Sequence, residues 1–487
     1  MEDKKNRPDY CSVAYEAMAA CWMMVADVFG GTKALRAKGK AYLPQEPAED
    51  NDSYQTRLSR AVFFNCFKRT VRGLTGLVFH EPPTLAADVD GEIAAQLENA
   101  DLAGTHWTEL AKDLFAMAVR DGHAFLMVDM PPRLTESSVG AMQPTLADER
   151  AAEHRPYWRL YDARQAMNWS TRKVGGRTQL AHITFCEKTV EPDGRFGEKE
   201  VTRYRVLWPG GWELYRQAEK EDELLLEAAG QFLAPGGQPL PDIPLAAVTC
   251  QKKKGHFVSE PPLLELAYLN VRHYQLTSDL DNVIHLSCVP LLWAKGRDKA
   301  TPMQPVGASI LIDLQDGPDS ALGYAEITGA GIVRAETRIT ALERQMAVMG
   351  LEMLAEKDAA AQTATEVRLS AAESASELAG MANNLKDALE NALMFHAQFL
   401  GVKDGGSVEL RAAFDTLTLT EEQMREYRSM VNDRQLSLES LWAVLKRARR
   451  LPADFDAKQE VARLDGDKAA GMTQIERDAL PGGAGSA

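Results

Sequence analysis

Apolar positions along the chain fall into blocks of different period, and the blocks change at glycine and proline. Residues 10–29 are apolar and rich in Ala and Met, which predicts a helix closed by Gly30-Gly31. An acidic loop is expected from Pro44 to Asp52. Leu58, Ala61/Val62, Asn65, Arg69/Val71 and Leu74 then recur at steps of three and four, predicting one helix over 53–79 that stops before Pro82-Pro83. Trp107, Leu110, Leu114, Met117 and Ala118 mark the next helix, from about Thr105 to Asp121-Gly122. A strand is expected over 124–129 and a polar loop over 131–155.

Between 157 and 250 the period shortens. Tyr157-Trp158-Arg159-Leu160-Tyr161, His182-Ile183-Thr184-Phe185, Arg203-Tyr204-Arg205-Val206-Leu207 and Trp212-Glu213-Leu214-Tyr215 are aromatic and β-branched runs. Pro192-Asp193-Gly194 and Pro209-Gly210-Gly211 stand between some of them, the pattern of an antiparallel β region. Residues 218–242 read as a loop or hairpin excursion. From 262 to 287 a helix is expected, with Leu266, Leu269, His273, Leu276, Leu280 and Val283 forming a seam that two helices or two subunits can share.

A small α/β or β module is expected over 288–335, including Ile310-Leu311-Ile312-Asp313-Leu314, and helix over 336–400 with a weak spot at 359–363. Leu342, Met346 and Met349 form one stripe of that helix. Leu378, Met381, Leu385, Ala388, Ala392 and Phe395 form another. A strand over 408–414 and two helices follow, the first opened by the capping box Thr420-Glu421-Glu422-Gln423 and running to about Asn432, the second over 437–450. The tail after residue 470 reads as disordered. The fold class is therefore α+β, predominantly helical.

Composition narrows function. The 487 residues carry a formal charge of −15, with 55 basic and 70 acidic side chains, which argues against tight general binding of duplex DNA. A channel that lets DNA slide is compatible with such a charge, and so is any ordinary soluble acidic protein, which net charge alone does not separate from it. The six cysteines, Cys11, Cys21, Cys66, Cys186, Cys250 and Cys288, form no CxxC pair, so neither a zinc nor a thioredoxin-like site is expected. No secretory signal and no transmembrane helix are expected, and the compartment reads as a reducing cytoplasm.

No phosphate-binding loop, nucleophile elbow, HExxH pair or complete dinucleotide fingerprint occurs. Gly329-Ala330-Gly331 reads as a turn entering a helix, and His273 as a core or interface histidine. No cofactor, metal or catalytic residue is expected, and the chain does not read as an enzyme. Three basic groups remain: Lys252-Lys253-Lys254; Lys295, Arg297 and Lys299; and Lys446, Arg447, Arg449 and Arg450. The plain account of each is a solvated surface or favourable cations at a helix end.

Several strings in order resemble the portal proteins of tailed bacteriophages. They are Tyr42-Leu43-Pro44, Arg57-Leu58-Ser59-Arg60-Ala61-Val62-Phe63-Phe64-Asn65, Gly73-Leu74-Thr75-Gly76-Leu77-Val78-Phe79, and Gly122-His123-Ala124-Phe125-Leu126-Met127-Val128-Asp129. Pro261-Pro262-Leu263-Leu264-Glu265-Leu266-Ala267, Ser278-Asp279-Leu280-Asp281-Asn282, Val289-Pro290 and Thr363-Ala364-Thr365-Glu366 continue the series, which covers roughly residues 40–400.

The resemblance implies a wing over 1–260 with its β-rich part at 157–250, a first stem helix over 261–287 and a clip over 288–335. It implies a second stem helix over 336–355, a tunnel loop over 356–363, a wing spine helix and strand over 364–419, and a helical crown over 420–470. Lys357, Asp358 and Gln362 would face DNA in the tunnel, and Lys295, Arg297 and Lys299 would face DNA or a partner at the clip. The implied partners are further copies in a ring of about twelve subunits, the large terminase subunit, the major capsid and scaffolding proteins, a head-tail adaptor, and double-stranded DNA passing without sequence preference. No membrane partner is implied. The implied place is the portal vertex of the virion, reached from the bacterial host cytoplasm. The alternative is another structural or scaffolding protein of the particle without a DNA channel; an enzyme with a dispersed site is a third reading.

Overall fold

A computed structural model of the chain describes residues 3–131, 153–218, 223–250, 257–287, 291–295, 321–325, 330–351, 364–410, 421–433, 435–447, 451 and 455–463. Helix accounts for 49% and strand for 24%, so the α+β class holds with helix in excess. The chain divides into two compact units, 1–413 and 414–487.

The first unit opens with α1 (Val13–Gly30), capped by Ser12, whose Oγ accepts a hydrogen bond from Tyr15 N at 3.1 Å. With only Glu16 and Asp27 charged, the 18 residues of this helix have a mean hydropathy of 1.3 and are long and apolar enough to cross a membrane by length and composition. In the fold it packs beside α4 (Cys66–Val78), α6 (Trp107–Asp121) and α7 (Leu264–Ser287), burying Trp22, Val25 and Val28.

The single helix expected over 53–79 is two helices, α3 (Asn51–Arg60) and α4. Residues 61–65 run extended between them, with Ala61 and Phe63 buried and Val62 and Phe64 exposed. Partners from elsewhere supply the hydrogen bonds that a helix would have given this backbone. The Arg36 guanidinium donates to Ala61 O at 2.8 and 3.0 Å, Phe63 N donates to Thr32 Oγ1 at 3.2 Å, and Asn270 Nδ2 donates to Phe64 O at 2.8 Å. Asn65 Oδ1 then caps α4 by accepting from Lys68 N at 2.8 Å.

The core lies around an antiparallel three-stranded sheet in the order β3-β2-β9. Its centre, β2 (His123–Asp129), is buried at every position, and β3 (Tyr157–Asp162) and β9 (Leu245–Thr249) flank it. Helix α6 packs on this sheet, and so does α9 (Ala364–Leu400), whose 37 residues span about 55 Å. The stripe Leu378, Met381, Leu385, Ala388, Ala392 and Phe395 is buried as its spacing predicts.

A second sheet is a five-stranded antiparallel meander of β4 (Ala166–Val174), β5 (Arg177–Asp193), β6 (Gly197–Trp208), β7 (Gly211–Gln217) and β8 (Leu224–Gln231). Strand β8 falls within 218–242, expected as a loop or hairpin excursion, and forms a hairpin with β7. Its register against β7 sets Gly230 opposite Trp212, where a Cβ would stand 2.8 Å from the indole. The strand expected over 408–414 is β12 (Val408–Glu409) as far as it is described, paired with β1 (Thr84–Leu85).

The loop expected over 131–155 lies outside the described residues for 132–152, as does the basic run Lys252-Lys253-Lys254. The second unit contains α10 (Glu421–Asn432) and α11 (Leu438–Arg447), the latter preceded by Ser437, whose Oγ accepts from Ser440 N at 3.1 Å. Among the described residues no group of His, Cys, Asp and Glu is arranged to hold a metal ion.

Candidate functional site

Helix α7 follows Pro261-Pro262, and Leu264 N donates to Pro261 O at 3.1 Å at its start. One side of the helix is tied to the core. Asn270 accepts from Phe67 N at 3.0 Å and donates to Phe64 O, so a single carboxamide serves both the extended segment and the first turn of α4. Tyr274 is fully buried, edge-on to Phe63.

Arg57 of α3 is buried and makes a bidentate pair with Glu49 at 2.8 and 2.7 Å. It also donates to Pro44 O and stands 3.6 Å from Asp279 of α7. The Glu49 hydrogen bonds raise the Arg57 pKa, and partial burial raises that of Asp279 against the pull of Arg57. Arg57, Arg60, Ala61, Ser278, Asp281 and Asn282 line a cleft of about 240 Å³, open mouth included, between α3 and α7.

After α7 the chain enters β10 (Leu291–Lys295), which pairs antiparallel with β11 (Ala321–Ala325). It then turns into α8 (Ala330–Leu351). That helix begins at residue 330, six residues before the expected start, because Gly331 falls in its first turn, where an unfavourable residue interrupts little helix. Helix α8 lies antiparallel on α7. Leu342, Met346 and Gly350 are buried, and His273 Nε2 stands 3.3 Å from Glu343 Oε1. A Cβ at Gly350 would lie 2.6 Å from Thr70 Oγ1 and 2.9 Å from Leu266 Cδ2, so a larger residue here would have to push these side chains aside.

Burial falls along the pair with distance from the core. On α7 it ends at Ser278, and residues 283–285 are exposed. On α8 the end near Gly350 is packed, while 333–338 are exposed apart from the half-buried Ala335.

Of the predicted seam, Leu266 and His273 turn into the fold of the chain itself. Leu269, Leu276 and Leu280 are half-buried, and Val283 is exposed. The open stripe of α7 runs one position away, through Glu265, Tyr268, Arg272, Leu276, Asp279 and Val283, all exposed but the half-buried Leu276. It also steps by three and four, but it mixes charged and apolar residues, and a search for apolar periodicity alone passes over it. Of the clip candidates, Lys295 is exposed at the end of β10, paired in register with Ala321. Arg297, Lys299, Lys357, Asp358 and Gln362 lie outside the described residues.

A family model described as a domain of unknown function, DUF4055, matches residues 262–400. The match runs from the start of α7 to the end of α9. No curated protein matches the chain. Among solved structures the chain is similar to one described as "Virion of native gene transfer agent (GTA) particle", at 12% identity and a TM-score of 0.42, covering 86% of this chain and 98% of that one. It is also similar to one described as "Neck of empty GTA particle computed with C6 symmetry", at 11% identity and a TM-score of 0.42, covering 85% and 98%.

Proposed function

We propose that this chain is the portal subunit of a tailed phage or phage-like particle. On this reading it forms a ring at one capsid vertex through which the genome enters and leaves, and to which the large terminase subunit and a head-tail adaptor dock. The observation that carries the reading is the helix pair α7 and α8. Two long antiparallel helices leave a packed α+β body, lose their burial as they go, and are linked through a small two-stranded sheet. A single chain gains little by extending helices whose outer turns bury almost nothing, since helices in water draw most of their stability from packing. Neighbouring copies around an axis would cover those turns and turn the pair into a stem, with β10 and β11 in the clip.

The ordered strings over residues 40–400 support the same reading. The chain then makes and breaks no bonds itself; ATP hydrolysis belongs to the packaging motor. Its place is the portal vertex of the virion, after assembly in the host cytoplasm.

Single-particle electron microscopy of the purified full-length protein tests this. Rings of about twelve copies with a central pore are expected. A closed oligomer without a pore would overturn the channel reading in favour of another structural protein of the particle.

A further inference from the structure

The free surface of α8 is divided by charge. Its buried stripe is Leu342, Met346 and Gly350, with Ala335 and Ile339 half-buried on the same line. At 100° per residue, Arg334 and Arg338 fall on one flank of that stripe and Glu336 and Glu343 on the other. All four are exposed. Among the described residues neither arginine makes an ion pair, and of the two glutamates only Glu343 has a basic side chain beside it, the His273 imidazole. Arg334 and Arg338 are four apart, so two like charges lie one turn above each other, which destabilises a helix standing alone. Glu336 stands two residues from each of them, on the far side of the helix, where it relieves neither.

A basic flank and an acidic flank on opposite sides of one helix is an arrangement that a rotation can satisfy. A ring built by rotation joins two different surfaces of the same chain, head to tail. Rotation also leaves every residue at its own height along the axis. Glu336 differs in height from Arg334 and Arg338 by about 3 Å at the helical rise. For a stem running along the axis, the acidic flank of one copy therefore meets the basic flank of the next at matching level.

We propose that α8 docks on α8 of a second copy through these flanks, with Glu336 of one copy paired to Arg334 and Arg338 of the next. The proposal rests on the ring reading and assigns the charges that set the subunits' order and register. The contact is heterologous, so opposite charges oppose in one direction around the ring and like charges penalise reversed packing.

The test compares full-length wild type with Glu336→Arg, with the double variant Arg334→Glu/Arg338→Glu, and with the triple variant carrying all three changes. Ring fraction is measured by native mass spectrometry at low and high salt. Each reversal is expected to weaken each contact about tenfold, roughly 1.4 kcal/mol, and thereby to lower the ring fraction near the assembly threshold by at least that factor. The triple variant is expected to recover most of it, and high salt to weaken wild-type rings. All four proteins should share one melting temperature in the non-assembled state, because the altered side chains are exposed. Wild-type rings that both reversals leave intact would overturn the proposal while leaving the ring reading standing, as would a triple variant worse than either reversal. Wild type that forms no ring under any of these conditions overturns both.

Discussion

Glu187 of β5 and Asp129 of β2 sit in one buried network between the two sheets. The Glu187 carboxylate takes Arg205 at 2.7 Å, Arg159 at 2.9 Å and the Tyr161 hydroxyl at 2.6 Å. Asp129 accepts from the Tyr157 hydroxyl at 2.9 Å and stands 3.6 Å from Arg205. Burial alone would raise both carboxyls. At Glu187 the two guanidinium groups and the hydrogen bonds outweigh it and hold the pKa low, whereas at Asp129 burial wins and the pKa is raised. The two neutralising substitutions should therefore differ. Glu187→Gln leaves Arg205 buried and poorly matched and is expected to cost about 3–5 kcal/mol. Asp129→Asn, which removes a charge that burial already disfavours, is expected to cost about 1 kcal/mol or less. The pH dependence follows in sign. The Glu187 contribution is full above the ordinary carboxylate pKa of about 4.3 and is lost as pH falls. The Asp129 penalty is present at neutral pH and disappears on acidification. Thermal unfolding between neutral and mildly acidic pH checks both: the deficit of Glu187→Gln should shrink toward low pH, and Asp129→Asn should compare best with wild type at neutral pH. None of this network was legible in the sequence. The strings Tyr157-Trp158-Arg159-Leu160-Tyr161 and Arg203-Tyr204-Arg205-Val206-Leu207 announce strands, but which charge meets which depends on two sheets facing each other, and no local spacing encodes that.

At the scale of elements, legibility followed the range of the forces involved. The ends of α6 were readable because Gly122 is a local signal, and the structure gives it a second reason. Its φ is +92°, and a Cβ would lie 2.7 Å from the carbonyl oxygens of Ser259 and Glu260. Gly122→Ala is expected to lose about 1–3 kcal/mol to the left-handed backbone, with the collision adding to it. Gly104→Ala separates the two effects, since Gly104 has a φ of +95° and nothing within 4 Å of the added carbon. Denaturant midpoints should fall clearly further for Gly122→Ala, and equal shifts would mean that the segment at 259–260 yields. The long apolar stripe of α9 was readable for the same reason, being periodic within itself. The break between α3 and α4 was not, because Arg36, Thr32 and Asn270 hold the extended segment and none is adjacent in sequence to it. For β8 the sequence left a loop and a hairpin open: Leu224-Leu225-Leu226-Glu227 has no strand alternation of its own and is extended because β7 supplies an edge.

At the scale of the whole molecule, the balance of helix and strand could be read from the chain, but the division into units depends on where contacts close. In the first unit the last described strand, β12, returns to pair with β1 near the other end, Leu85 opposite Val408, and Val408 N donates to Glu390 Oε1 at 3.2 Å. Gly405 beside it passes so close to Leu393 that a Cβ would lie 2.4 Å from that residue's carbonyl carbon. The return locks the C-terminal end of α9 before residue 413 is reached. The described helices of the second unit are short: α10 and α11 have 12 and 10 residues and a further helical stretch runs over 457–463, lengths that are marginal in water without packing. The main thermal transition should therefore belong to the first unit. A chain ended after Ala413 is expected to melt within about 2 °C of the full-length protein in its non-assembled state, a difference of about 2 kcal/mol or less for a body of this size. A chain ended at Gly401, which keeps α9 but loses the pairing of β12 with β1, should melt several degrees lower. If the two truncations melted alike, the return strand would add nothing to the fold. If both fell together well below full length, the second unit would be part of the cooperative core, and residues 414–487 would be stabilising the body that carries α7 and α8.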